Sequence, residues 1–267
     1  MRLIFLLWIA FAYPHGDVHE QINALTTSIQ QFPDSTSLYL DRGELYLLDE
    51  NASAAQSDFS FCIRSGLITA RTFVGLSKSM APLGLRDSSL YFADKALELD
   101  PIYYPALECK GALLLLMERY CESAEIYSRL ISLASQPSPA LYIDASLATQ
   151  QCPEKSSNTD QVLLEGMARL GRLHVLEKSL VSIYLEEKRY TEALQVQTEI
   201  IAHWAVKTRP YYERAEIYLL TGNKPAAIAD LKNALQSLDS LPSYKSATPA
   251  MQEMRGKIIL LLNQTGS

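Results

Sequence analysis

The chain has 267 residues, 48% of them apolar, with 24 basic against 30 acidic side chains and a formal net charge of −6. That length and apolar share suit a folded core, while the acidic balance and the lack of a long basic run argue against nucleic acid and anionic lipid surfaces as partners. The four cysteines, Cys62, Cys109, Cys121 and Cys152, form no CxxC pair, so the usual spacing of a zinc site is missing.

Residues 1–12 place Arg2 ahead of an apolar run that closes on Ala10-Phe11-Ala12, a small-x-small cleavage pattern. They predict a secretory signal peptide, with 13–16 opening the mature chain. Ten apolar residues are too few to span a bilayer, and no cysteine follows them to take a lipid. Loss of Arg2 with the leader leaves a net charge of −7. Residues 17–35 predict a capping helix, because Val18, Ile22, Leu25, Ile29 and Phe32 recur at helical spacing and Pro33 follows.

From here the chain matches itself. Shifted by 172 residues, Tyr39–Phe59 falls on Tyr211–Leu231 with ten identities in twenty-one places, among them Tyr39/Tyr211, Arg42/Arg214, Tyr46/Tyr218, Asn51/Asn223 and Asp58/Asp230. The shift is five periods of 34 plus 2, and a 34-residue period is that of stacked helix–turn–helix units. Anchored on Ala96–Pro101, the units are 36–69, 70–103, 104–137, 138–173, 174–207 and 208–241, with the two extra residues in the fourth. Turn chemistry falls between the paired helices at Asp49–Asn51, Pro82–Gly84 and Thr221–Asn223. Residues 242–267 predict a C-terminal capping helix, with Thr248 as N-cap, Pro249 in the first turn, and Met251, Met254, Ile258 and Leu261 in one stripe. The expected total is fourteen helices.

With its small and aromatic residues at fixed places, the pattern resembles that of tetratricopeptide-repeat (TPR) proteins over nearly all of 36–241. The first unit carries Gly43, Tyr46 and Ala55 at those places; the third has Gly111, Leu114 and Ser123, the fifth Val181, Tyr184 and Ala193, and the sixth Ala215, Tyr218 and Ala227. The family's terminal proline stands clearly only at Pro101. The resemblance implies an all-α fold, an α–α superhelix (TPR solenoid) of six helix–turn–helix repeats with N- and C-terminal capping helices. The segments "LTTSIQQFPDS", "YLDRGELYLL" and "LPSYKSATPAM" are further similar to exported bacterial TPR proteins, which supports a periplasmic or secreted location. Equivalent turns of neighbouring repeats lie along one edge, so in an exported chain Cys121 and Cys152 are the candidates for a disulfide.

In this family the first helix of each unit lines a concave groove. Carried over by position, the groove residues are Leu40, Glu44, Val74, Lys78, Glu108, Tyr142, Lys178, Tyr212 and Glu216, with Ala112 and Leu115 beside Glu108. Such a mixture suits an extended or helical peptide held by apolar side chains. The carboxylate clamp of chaperone-binding members is not reproduced, since Leu40, Asp41 and Glu44 stand where it would begin and would repel an acidic tail.

Catalytic chemistry finds little support. No phosphate-binding glycine loop, nucleophile elbow or HExxH occurs. His15 and His19 have helical metal-like spacing without a third ligand nearby, and nothing in the sequence brings His174, Cys152 and Asp160 together. Asn51-Ala-Ser53 and Asn263-Gln-Thr265 are glycosylation acceptors only in a eukaryotic secretory pathway. The chain therefore reads as a non-enzymatic scaffold for a protein or peptide partner, with no cofactor and no metal. An exported hydrolase or metal protein on a helical solenoid is the alternative, and the irregular stretch 150–160 is where it would show.

Overall fold

A computed structural model of the chain describes residues 17–266. The expected signal peptide and His15 lie outside the described residues. These contain fifteen α-helices and no strand. In order they are α1 (Val18–Gln31), α2 (Thr36–Leu48), α3 (Ala52–Arg64), α4 (Ala70–Met80), α5 (Arg86–Leu99), α6 (Tyr104–Leu116), α7 (Tyr120–Leu133), α8 (Pro139–Gln151), α9 (Thr159–Leu170), α10 (His174–Glu186), α11 (Tyr190–His203), α12 (Thr208–Leu220), α13 (Lys224–Asp239), α14 (Ser243–Ser246) and α15 (Pro249–Gly266). The single-turn α14 is the addition to the fourteen read from sequence, and a short 3₁₀ turn at Ser156–Asn158 precedes α9. The first helices of the six pairs start at residues 36, 70, 104, 139, 174 and 208.

The described residues form two compact units, one of 17–137 together with 147–156, the other of 138–146 together with 157–266.

In the first unit, α1 to α7 pack in sequence order, each against the next. Side-chain caps mark where two of these helices begin. Asn51 Oδ1 accepts the Ala54 N–H at the start of α3, and Thr69 Oγ1 accepts the Thr72 N–H at the start of α4. Helix α4 ends at Met80, just before Pro82, whose ring and missing N–H do not fit a continuing helix. Phe59 is fully buried with Leu40, Ala55, Cys62 and Leu76 around it. Burying a ring of that size stabilises by about 2–3 kcal/mol. Its place depends on Gly75: a Cβ there would collide with the Phe59 ring. A second cluster gathers Val74, Ala96 and Ala106, and a third Ala93, Cys109 and Leu113.

The Cys121–Cys152 disulfide also lies within this unit, with Cα atoms 4.8 Å apart. It fastens the start of the 152–158 turn to α7, beside the Lys155–Glu125 ion pair at 3.3 Å.

In the second unit, Ala215, Ala227, Leu231, Ala234 and Ile258 build the core of α12, α13 and α15. Asn223 caps α13 through the Ala226 N–H, matching Asn51 in the first unit. Tyr142 and Leu163 are fully buried. The Tyr142 ring lies over Gly166, where a Cβ would come within 2.7 Å of Cγ.

Candidate functional site

The first helices of the pairs carry most of the charged groups read from sequence as groove residues. In the first unit, α2, α4 and α6 set them side by side. Arg71 of α4 reaches back to α2 and binds Glu44 with two nitrogens, Nε to Oε1 at 2.7 Å and Nη2 to Oε2 at 2.6 Å. Nη2 also meets Asp41 Oδ1 at 3.3 Å. The hydrogen bonds to Glu44 hold the Arg71 guanidinium firmly protonated. Burial pushes the Asp41 carboxyl above its ordinary value, with the Arg71 charge opposing the rise.

Two turns further along α4 the pattern changes. Lys78, Ala81 and Pro82 at the end of α4 face Glu108, Cys109, Ala112, Leu113 and Leu116 of α6 across an open cavity of about 540 Å³. Pro82 produces this opening by stopping α4, and Ala112 keeps it clear because it has only a methyl group. Lys78 and Glu108 are exposed, and neither makes an ion pair or hydrogen bond among the described residues. Below them Cys109 is 8% exposed, its Sγ 3.2 Å from Ser77 Oγ. Ser77 and Ser89 then exchange hydrogen bonds: Ser77 Oγ donates to the Ser89 carbonyl at 2.7 Å and Ser89 Oγ to the Ser77 carbonyl at 2.6 Å. Burial pushes the Cys109 thiol up and the Cys62 thiol to about 11, so both are poor nucleophiles at neutral pH.

Lys78, Glu108 and Ala112, read from sequence among the groove positions of two successive repeats, all line this cavity. Glu44, on α2, is committed to Arg71. Leu40 and Val74, read as groove-facing, are 7% and 5% exposed. Their side chains fill the seams between helices, where the apolar stripe of a helix must go. Cys109, Leu113, Ala81 and Pro82 were not read as groove residues, although Pro82 was read as a turn. Pro82 was the available signal, because a helix that stops early leaves its neighbour uncovered.

In the second unit, Lys178 of α10 pairs with Glu213 of α12 at 3.5 Å. Tyr212 is half-buried near Glu216, whose carboxyl is pushed up by burial against the opposing hydrogen bond of the Tyr212 hydroxyl. Tyr142 is a correction: it is fully buried, and Gly166 rather than a ligand takes its ring. A second cavity, of about 380 Å³, lies among α9, α10 and α11. At its edge Arg172 joins the buried Glu177 at 2.8 Å to Glu199 at 2.7 Å.

The other polar candidates are engaged elsewhere. Cys152 is disulfide-bonded, Asp160 accepts from Arg189 at 3.1 Å, and His174 packs against Trp204 with ring centroids 4.4 Å apart. Among the described residues no group of three or more His, Cys, Asp or Glu side chains is placed to hold a metal ion. None of the described helices is long and apolar enough to cross a membrane.

No protein-family model matches the chain, and no curated protein does. Solved structures do. A TPR protein from Parabacteroides merdae superposes with a TM-score of 0.57 at 14% identity, covering 94% of this chain and 93% of that one. The C-terminal part of a TPR repeat-containing protein from Cytophaga hutchinsonii gives 0.70 at 12% identity, over 93% of this chain and 98% of the other. YrrB, described as a TPR protein with an unusual peptide-binding site, gives 0.50 at 17% identity, over 68% of this chain and 93% of its own. The chain has the TPR fold, an α–α superhelix class built of consecutive packed helix pairs.

Proposed function

We propose that this chain is a non-catalytic scaffold that binds a peptide or protein partner, and that it works in a periplasmic or other exported compartment. The carrying observation is the open cavity between α4 and α6, an apolar floor between one uncommitted cation and one uncommitted anion. Pockets that mix an apolar lining with a few placed polar groups are where ligands bind. The peptide-binding site named for YrrB, a fold neighbour, fits the same reading. Export is supported by the Cys121–Cys152 disulfide, because such bonds persist where the surroundings are oxidising, and by the signal-like residues 1–12.

The binding reading is tested with the chain immobilised and exposed to an envelope extract of its source, beside an Ala112→Trp variant that fills the cavity. A partner captured by the first and lost by the second supports the reading; equal capture by both overturns it. The compartment is tested by the mass of the protein recovered from fractionated cells. A periplasmic or secreted chain lacking residues 1–12 is expected, and an intact chain in the cytosol overturns it.

A further inference from the structure

The binding reading leaves the partner's chemistry open, and the rim of the α4–α6 cavity narrows it. Along α2 and α10 the charges read as groove residues are already neutralised within the chain. Glu44 is held by Arg71, and Lys178 by Glu213. Lys78 and Glu108 differ. Both are exposed, both line the cavity, and neither has an ion-pair or hydrogen-bond partner among the described residues. The cavity's apolar lining includes Ala112, Leu113 and Leu116, with Leu116 49% exposed. A charge whose neighbours are all engaged is a free element of recognition, since a ligand gains its attraction without first breaking an internal pair.

Resting on the proposed binding function, we infer that the cavity takes a peptide segment of mixed charge. One large apolar side chain enters the floor, an acidic residue on one side meets Lys78, and a basic residue on the other meets Glu108. The volume, about 540 Å³, is ample for one such side chain together with the backbone that carries it. An extended peptide supplies this pattern with ordinary geometry. Alternate side chains point the same way, so an acid, an apolar residue and a base at every second position all face the protein. A uniformly acidic or uniformly basic segment would satisfy one rim group and be repelled by the other.

The test uses four acetylated, amidated heptapeptides: ADALAKA, ADALADA, AKALAKA and the uncharged AAALAAA. Each is titrated at low salt into isotope-labelled protein, and binding is read from the amide signals of Ala112 and Leu113. Wild-type protein should bind ADALAKA about threefold or more tighter than either like-charged peptide. Lys78→Glu should shift the preference to AKALAKA, and Glu108→Lys should shift it to ADALADA. Both substituted residues are exposed, so the fold tolerates the changes. Equal affinity for all charged peptides, or a preference unmoved by the two variants, overturns the inference. AAALAAA separates the two levels. If it binds wild type and is lost in Ala112→Trp while charge has no effect, the binding function stands and the charge recognition falls. If no peptide moves the cavity signals, both fall.

Discussion

The Arg42 guanidinium holds the Asp58 carboxylate with two nitrogens, Nε and Nη2, each 2.8 Å from its oxygen, and gives Nη1 to Thr26 Oγ1 at 3.1 Å. Tyr39 and Tyr46 lie on either side, their ring centroids 5.5 and 5.6 Å from the guanidinium carbon. One side chain thus ties α1, α2 and α3 together. The second unit repeats the device: Arg214 meets Asp230 at 2.7 and 2.8 Å and Thr198 at 2.9 Å, with Tyr211 and Tyr218 alongside. Asp58 and Asp230 are buried. Removing one partner strands a desolvated charge, so Asp58→Ala or Asp230→Ala should each cost about 3 kcal/mol. Replacing Arg42 and Asp58 together by Met and Leu should cost much less. Urea unfolding checks both, and similar losses in the single and double variants would show that the pair is not the source.

The Tyr142 side chain is fully buried against Gly166. Its removal leaves a cavity the surrounding helices cannot close completely. Tyr142→Ala should therefore lower stability by about 3 kcal/mol or more, while peptide binding at the α4–α6 cavity stays unchanged. Thermal unfolding and the peptide titration read the two effects separately. A variant with unaltered melting and weakened binding would restore Tyr142 to a surface role.

The disulfide joins residues separated by 31 positions in the sequence. Closing a loop of that length restricts the unfolded chain by about 3–4 kcal/mol on the chain-entropy account. The double variant Cys121→Ser, Cys152→Ser should unfold at lower temperature and exchange the amides of 152–158 faster. A non-reducing digest should release the two cysteine peptides as one mass; two free peptides from oxidised material would remove the cross-link.

Two carboxyls should respond to pH with opposite sign. Burial raises the Glu216 carboxyl above its ordinary value, so its stability contribution is present at low pH and lost as pH rises through the folded value. Glu216→Gln should raise the unfolding midpoint at pH 7, with the gain vanishing in acid. The hydrogen bond from Arg172 lowers Glu199, whose contribution is present above its ordinary value and lost as pH falls through the folded one. Glu199→Gln should lower the midpoint at pH 7, with the deficit shrinking as pH falls through the folded value. Parallel pH profiles for both variants would contradict these assignments.

The repetition was legible because the residues of the Arg42 and Arg214 clusters recur at a fixed offset: Tyr39, Arg42, Tyr46 and Asp58 return as Tyr211, Arg214, Tyr218 and Asp230. What they do was not legible. A matching letter reports that a place recurs, not which neighbouring helix its side chain reaches. The same limit governs the site. Lys78 and Glu108 sit on the cavity because long charged side chains leave the helix surface for solvent wherever room exists. Leu40, Val74 and Tyr142 occupy similar repeat positions yet are buried, since a stripe repeating every 3.6 residues runs across both the open face and the seam. Gly166 was the overlooked sign for Tyr142. Its missing Cβ leaves the room that the ring takes.

The tight turns inside five of the helix pairs share one backbone shape. Glu50, Glu118 and Lys188 have φ of 55°, 59° and 57°, and Gly84 and Gly222 fill the corresponding place with φ 76° and 74°. In each, the next residue's N–H closes the turn onto a carbonyl five positions back: Asn51 to Tyr46, Leu85 to Met80, Arg119 to Leu114, Arg189 to Tyr184 and Asn223 to Tyr218. Only glycine adopts this shape without steric cost, and the other three each give up on the order of 1 kcal/mol. Three exposed corners thus hold thermodynamic headroom, and a hardened version of this fold is three glycines away, with the α4–α6 cavity untouched.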